Sequence, residues 1–386
     1  MHKLLRITTV SMSYRLLLKG QLQFMSQHFE THAASAPGWE LDDLATDENT
    51  QVHPIDMERK PSPVKDFASL VKLRALIKKL KPRIVHTHTP KAGLLGMLAA
   101  YLCRVPVRLH TVAGIPWMES VGAKRKVLQF MEKLTYRYAT HVYSNSQALK
   151  EFILENNLLP SQKISVIAKG SSNGINTEWY SRTQEVLKKA SALKEEWGLK
   201  DEKVILFVGR LVKDKGIEEL LEAYKNLKPV LKIKLLLVGP FEKERDPLSD
   251  WASNLIENDI DIITPGYVKD VRPYMALSYL LAFPSYREGF PNVPMQAGAM
   301  GLPSIVTDIN GCNEIVEQEV NGLIIPPKSA GHLQEALVRL LEDNELYNRL
   351  SQNARPMIEQ RYEQKLIWEA LLEEYQIHLK KAGIDV

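Results

Sequence analysis

Pro284-Ser285-Tyr286-Arg287-Glu288-Gly289-Phe290-Pro291-Asn292-Val293-Pro294-Met295-Gln296-Ala297-Gly298-Ala299-Met300-Gly301 is the most informative segment of this chain. The apolar run before it, residues 279–283, reads as a short buried strand. The small-residue segment after it, 295–300, reads as a helix, and Pro294 suits a first helical turn, where no N–H is needed. Strand, glycine-bearing loop and helix in that order aim backbone N–H groups at an anion. Glu288 stands at the loop mouth, and Gln296 follows eight residues later. A carboxylate, exposed amides and a second polar side chain suit a sugar joined to a phosphate. An ordinary strand-to-helix turn with an exposed glutamate has the same local pattern, so the flanking chain must discriminate.

On both sides the chain alternates strand and helix patterns, which implies parallel sheets. Before the quoted stretch, strands are predicted over 204–209, 234–239 and 261–266, with a helix over 217–226. After it come a strand over 303–308, helices over 330–342 and 343–359, and a terminal helix over 365–382. In the first half, strands are predicted over 4–10, 32–37, 107–112, 141–145 and 164–167, with a short strand from 83 running into a loop that carries His86 and His88. Helices are predicted over 16–29, 64–80, from 94 onward, 127–138 and 148–156. Residues 38–63 read as loop-rich, with a short strand near Val52. The apolar face predicted for 64–80 is Phe67, Leu70, Val71, Leu73, Leu76, Ile77 and Leu80. For 127–138 it is Leu128, Met131, Leu134, Thr135 and Tyr138. Lys169-Gly170-Ser171-Ser172-Asn173-Gly174-Ile175-Asn176 is rich in turn formers and is the candidate linker.

A chain of 386 residues is long for one domain and fits two. Its 45% hydrophobic and 25% charged residues are those of a soluble globular protein. Cys103 and Cys312 give no disulfide framework, which fits a reducing, cytoplasmic setting. The first ten residues read as a strand rather than a signal peptide, and the longest apolar run, 92–103, is too short to span a bilayer. Residues 1–170 carry 24 Lys/Arg against 13 Asp/Glu, and residues 171–386 carry 26 against 33. A basic first half suggests an anionic partner; without a nucleic-acid-binding motif, a membrane leaflet or lipid phosphate is the better match. Plain solubility is the alternative.

Three clusters bear on chemistry. Gly209-Arg210 with Lys215-Gly216 sets two cations at the carboxyl end of a strand, where open parallel sheets bind ligands. Arginine forks onto phosphate and lysine acts as a point charge. His86-Thr87-His88-Thr89-Pro90-Lys91 carries strand into loop, but two histidines without a nearby third ligand do not make a zinc site. Asp259-Ile260-Asp261 has the form of a cation-holding D-x-D, yet it precedes a strand and reads as a surface turn.

Glu288-Gly289-Phe290, with Gln296 at the second position, resembles the E-x7-E region of retaining glycosyltransferases of family 4. The resemblance spans nearly the whole chain and is strongest over 204–322. It implies the α/β GT-B fold, two Rossmann-like, doubly wound parallel-sheet domains facing a central cleft. An acceptor-binding domain would cover 1–175 and a donor-binding domain 176–364, with the helix from about 365–386 packing back on the first. Glu288 would contact the transferred sugar; Arg210 and Lys215 would neutralise the departing diphosphate. Gly209, Gly239, Tyr267, Val268, Gly289, Phe290, Pro291, Asn292, Val293 and Gln296 would complete the donor site. Gln296 replaces the family's second carboxylate; an amide still bonds ribose hydroxyls but without charge assistance. Ser13, His88, Lys91 and Ala113 would serve the acceptor; Ala113 replaces a histidine common in relatives, and the first loop lacks a Gly-Gly pair.

The implied reaction is transfer of a hexosyl or N-acetylhexosaminyl unit from a nucleotide-sugar, a UDP-sugar by expectation, with retention. The acceptor would be a polyprenyl-diphosphate-linked saccharide in capsule, O-antigen or related envelope polysaccharide assembly. No cofactor or metal is expected, no nucleic acid partner, and peripheral attachment to the inner face of the cytoplasmic membrane. Two other readings stand beside it: a non-hydrolysing nucleotide-sugar epimerase of the same fold, and a non-enzymatic sugar-binding or scaffold protein.

Overall fold

The computed structural model describes residues 1–386 except 116, 118, 119, 243–245 and 386. Its strands are β1 (Lys3–Val10), β2 (Glu30–Ala36), β3 (Gln51–Pro54), β4 (Ile84–His88), β5 (Val107–Val112), β6 (His141–Ser144), β7 (Ile164–Val166), β8 (Lys203–Val208), β9 (Ile233–Val238), β10 (Ile262–Gly266), β11 (Leu280–Phe283), β12 (Ser304–Thr307) and β13 (Gly322–Ile325). The helices are α1 (Met12–Leu17), α2 (Gln21–Met25), α3 (Trp39–Asp47), α4 (Pro63–Leu80), α5 (Pro90–Leu102), α6 (Gly122–Tyr138), α7 (Gln147–Glu155), α8 (Gln184–Glu196), α9 (Ile217–Leu227), α10 (Asp250–Asn258), α11 (Arg272–Leu277), α12 (Asn292–Ala299), α13 (Cys312–Ile315), α14 (Ala330–Glu342), α15 (Asn344–Tyr362) and α16 (Gln364–Lys381).

The chain divides into two units. Unit 1 comprises Met1–Gly174 with Gln364–Val386, and unit 2 comprises Ile175–Glu363. Unit 1 is built on a seven-stranded sheet ordered β3-β2-β1-β4-β5-β6-β7, unit 2 on a six-stranded sheet ordered β10-β9-β8-β11-β12-β13. The strand pairs are parallel throughout. Strands such as Lys-Val-Ile-Leu-Phe-Val of β8 are apolar on both faces, as a sheet covered by helices on both sides requires. In each sheet the order reverses once, between β1 and β4 in unit 1 and between β8 and β11 in unit 2. The loops leaving those strands diverge, and the crevice opened there is where such sheets bind ligands.

The apolar run 92–103 is α5, which packs on β1 and β4. Gly93 and Gly96 let it approach: a Cβ at Gly96 would lie 2.7 Å from Cγ2 of Thr87, and one at Gly93 would lie 2.5 Å from Cε1 of His110. On the opposite face of this sheet, Leu371, Tyr375 and Leu379 of α16 join Leu4, Ile84, Val107, Leu109 and Tyr143 in a second core layer.

Several expectations are corrected. The single helix over 16–29 is two short helices, α1 and α2, broken at Gly20 (φ +80°). The Glu48 carboxylate accepts the N–H groups of Gly20 and Leu22 at 2.8 and 3.1 Å and starts α2 afresh. The loop-rich stretch 38–63 contains α3 as well as the edge strand β3. Helix α5 begins at Pro90 rather than 94, so His86 and His88 both lie within β4. Helix α4 buries Leu73, Ile77 and Leu80 but leaves Phe67 68% exposed. Helix α6 buries Glu132, Thr135 and Tyr136 and leaves Val127 and Phe130 exposed; burial pushes the Glu132 carboxyl up to about 7. Among the described residues no helix is long and apolar enough to cross a membrane.

Candidate active site

The site in unit 2 grows from its switch point. Three strands end in glycine: Gly209 after β8, Gly239 after β9 and Gly266 closing β10. Gly209 N–H donates to the Val238 carbonyl and Gly239 N–H to the Gly266 carbonyl, both at 2.9 Å. A Cβ on Gly239 would fall 1.8 Å from the Gly209 oxygen, so no side chain fits there. Past β10, Tyr267 is exposed and Val268 packs on the core edge.

The β8 loop carries Arg210 and then a 3-10 turn, Lys213–Lys215, closed by Gly216 at φ +70°. A Cβ on Gly216 would lie 2.1 Å from the Pro284 carbonyl oxygen, which seats the β8 loop against the β11 loop. The Tyr286 N–H donates to the Asp214 carbonyl at 2.9 Å, and Arg287 Nη2 to Asp214 Oδ2 at 2.9 Å. Across this seam Lys215 Nζ meets Glu288 Oε1 at 2.5 Å, with the side chains 14% and 16% exposed. Ser285 Oγ donates to the same carboxylate oxygen at 3.0 Å. Arg210 Nη1 pairs with Glu242 Oε2 at 2.7 Å. That hydrogen bond holds the guanidinium's proton above the usual range, and the charges of Asp214 and Glu288 add to it. Arg210, Lys215 and Glu288 thus lie in one electrostatic cluster at the β8–β11 switch point.

Beyond Glu288 the loop is pinned from the side. Asn310 donates to the Gly289 carbonyl, and Gly311, at φ +78°, passes so close that a Cβ would lie 2.8 Å from the Gly289 oxygen. Phe290 packs on Tyr362 at 5.4 Å between ring centroids. Helix α12 starts at Asn292 behind Pro291, and its first-turn N–H groups have no intrahelical acceptor. Asn292 and Val293 therefore stand at the positive end of a helix four residues past Glu288, the partner of Lys215, and such helix ends attract anions. Gln296 is one turn further in; its Nε2 donates to the Tyr180 hydroxyl at 2.8 Å, and burial pushes that phenol up to about 12.

Sequence reading missed Glu242, Asp214, Ser285, Asn310 and Tyr180. Asn310-Gly311 carried a turn signal, but nothing local tied it to Glu288. The D-x-D pair is a lysine-bound turn: Lys228 pairs with Asp259 at 2.5 Å and with Asp261 at 2.8 Å, and Lys234 takes Asp261 at 2.8 Å.

Three of the unit 1 candidates, Ser13, His88 and Lys91, follow or end β1 and β4, the strands of the switch point, and Ala113 follows the neighbouring β5. Ser13 is buried in α1 just past β1. His88 ends β4, with Nε2 2.5 Å from Arg6 Nη2. Lys91, in the first turn of α5, pairs with Asp66 at 2.6 Å. Ala113 follows β5, and its carbonyl accepts from Asn145 Nδ2 at 3.3 Å. Arg6 is 1% exposed and has neutral partners: it also bonds His86 Nδ1 at 3.0 Å and the Tyr375 hydroxyl. Burial, reinforced by the Arg6 charge, holds His86 and His88 well below the usual histidine range. Burial alone takes His110 down to about 4.

Two family models match the chain. One, described as glycosyl transferases group 1, covers residues 190–357. The other, a glycosyl transferase 4-like domain, covers residues 24–170. The chain is 33% identical over 383 residues to the capsular polysaccharide biosynthesis glycosyltransferase CapM of Staphylococcus aureus, covering 98% of each. It is 32% identical over 308 residues to the UDP-Gal:alpha-D-GlcNAc-diphosphoundecaprenol alpha-1,3-galactosyltransferase of Escherichia coli, covering 78% of this chain and 76% of that one. Among solved structures, Anabaena HepE in complex with UDP and glucose superposes with a TM-score of 0.82 at 19% identity, covering 98% of this chain and all of that one. A glycosyltransferase from Rickettsia africae gives 0.81 at 21% identity, over 98% and 99%; at such identities these two bear on the fold alone. Paired parallel-sheet units, matched family models in both and full-length identity to CapM place this chain in the family 4 glycosyltransferases, enzymes of GT-B fold.

Proposed function

We propose that this chain transfers a hexosyl or N-acetylhexosaminyl unit from a UDP-sugar to a polyprenyl-diphosphate-linked saccharide, with retention, in capsular or related envelope polysaccharide assembly. The observation that carries the reading is the Arg210, Lys215 and Glu288 cluster at the β8–β11 switch point, beside the N-terminus of α12. Two cations and helix N–H groups there match the charge that grows on a diphosphate as the glycosyl bond breaks. Fixed donors aimed at developing charge lower a barrier most where little must reorganise. The carboxylates of Glu242 and Glu288 now hold those cations, so an arriving diphosphate exchanges one anionic partner for another. Glu288 then turns to the sugar hydroxyls, and Gly209, Gly239, Tyr267 and Val268 line the base and ribose side. With Arg210 and Lys215 taking the charge, the proposed step needs no metal, and chelator should leave turnover unchanged.

The nucleotide and the acceptor class come from the relatives: the E. coli enzyme is named for UDP-Gal and a diphosphoundecaprenol acceptor, and CapM for capsular polysaccharide. The acceptor binds unit 1 through the sheet end bearing Ser13, His88, Lys91 and Ala113. Helix α6 supports contact with an anionic leaflet, since Lys124, Arg125 and Lys126 in its first turns accompany exposed Val127 and Phe130.

The test is incubation of the purified chain with a panel of UDP-sugars and synthetic polyprenyl-diphosphate-linked monosaccharides, followed by NMR of the product. Sugar moved to the lipid with the donor's anomeric configuration supports the proposal. Inversion sinks the stereochemical part. Sustained conversion of a UDP-sugar to its epimer without acceptor supports the epimerase reading instead.

A further inference from the structure

Unit 1 holds a cluster of metal-ligating side chains that the glycosyl-transfer reading does not use. His141 opens β6, and Glu374 and His378 lie one turn apart on α16. One ligand atom from each lies within 4.8 Å of the other two. His378 Nε2 is 3.7 Å from Glu374 Oε2, and the two imidazole rings are 4.9 Å apart between centroids. Ligands about 2.1 Å from a tetrahedral ion stand roughly 3.4 Å apart, so modest side-chain rotation closes the set.

The surroundings favour this. Ser165 Oγ is 2.9 Å from His141 Nε2, and the Tyr143 hydroxyl donates to Glu374 Oε2 at 2.9 Å. Hydrogen bonds of that kind orient ligating rings and carboxylates. The Glu374 side chain is 31% exposed and that of His378 10%, which leaves an entry path and room for a water as fourth ligand. Lys381 and Lys163 bear on His141 and oppose any cation there, so only direct ligation, with the Glu374 carboxylate supplying the offsetting charge, holds one. Two imidazoles and one carboxylate suit zinc rather than magnesium or calcium.

We propose that His141, Glu374 and His378 form a zinc site that clamps the terminal helix α16 onto β6. The ion is structural. It fastens the last segment of the chain to a strand more than 200 residues earlier, and it lies among none of the residues assigned to donor or acceptor. The experiment uses the untagged full-length chain, stripped with chelator and then dialysed against zinc chloride. Expected results are one zinc retained per chain and slower amide exchange over 364–381 when zinc is present. Glu374→Gln keeps an acceptor for Tyr143 and should weaken zinc binding about tenfold or more. His378→Gln should abolish both the retained zinc and the exchange protection, while His332→Gln in unit 2 should change neither. The proposal is overturned if the stripped parent retains no zinc, or if the folded His141→Asn/His378→Gln double variant retains as much as the parent.

Discussion

The switch points of the two sheets share a topology and differ in chemistry. In unit 2 the strand ends carry formal ion pairs that water still reaches, with Arg210 39% exposed. In unit 1 the corresponding strands place Arg6, His86 and His88 under α16, almost fully buried and bonded to neutral groups. Exposed pairs contribute little to stability and exchange partners readily. Buried polar networks are costly to break. The same fold thus offers, in unit 2, ion pairs suited to trading a carboxylate for a phosphate and, in unit 1, a buried network under α16 suited to holding the domain together. Histidine is partitioned in the same way: nine of ten lie in unit 1, and only His332 lies in unit 2.

The largest expected effect is in unit 2. Lys215→Ala should lower kcat by about 100- to 1000-fold per folded molecule, as loss of a charge-stabilising donor does, with some loss of Tm because Glu288 is left mostly buried and unpaired. A loss confined to stability would erase the contrast between the sheet ends. Acid should act on unit 1. In the zinc-free chain His110 and His141 are held near 4, with burial the leading cause. Their contribution to stability is therefore complete above the unfolded value near 6.5 and is lost as pH falls from there towards 4. Each such histidine adds up to about 1.4 kcal/mol per pH unit in that window, less for the partly exposed His141. Amide exchange between pH 7 and 5 should show unit 1 opening before unit 2; the reverse order would break the comparison.

A smaller effect tests the buried network itself. Tyr375→Phe removes the hydroxyl shared by Arg6 and His86. It should cost about 1–3 kcal/mol by denaturant unfolding, with turnover per folded molecule kept. The smallest effect should come from Gln296→Glu, which restores a carboxylate beside the Tyr180 hydroxyl. If Gln296 contacts ribose, the KM for the nucleotide-sugar should fall about two- to tenfold with kcat nearly constant. An unchanged KM would remove Gln296 from the donor site.

Much of this was legible in the order of residues. Runs such as 204–209 and 234–239 are apolar without alternation, and only a strand covered on both faces needs that. Ser146 before 147–155 is a helix start by its hydroxyl, which accepts the Leu149 N–H at 3.1 Å. The turn formers at 169–176 span the point where unit 1 gives way to unit 2. Other features were hidden. Gly20 gave no sign that Glu48, 28 residues away, would restart a helix there. Phe67 and Val71 fit a helical stripe in sequence, yet α4 packs chiefly on α5 and leaves both exposed.

By itself, then, the sequence determined most of the strands and longer helices, though not α3, α8, α10, α11 or β13, that the sheets are parallel, and which loops carry glycine beside charge. Each of these follows from forces acting within a few residues: backbone sterics, side-chain periodicity and the needs of a first helical turn. Tertiary structure alone decided partnership. It set Glu242 on Arg210, Glu288 on Lys215, Tyr375 on Arg6, and Glu374 with His378 beside His141. Charge and hydrogen bonding act over a few ångströms, and only the closed sheets and the returning terminal helix bring residues dozens to hundreds of positions apart within that range.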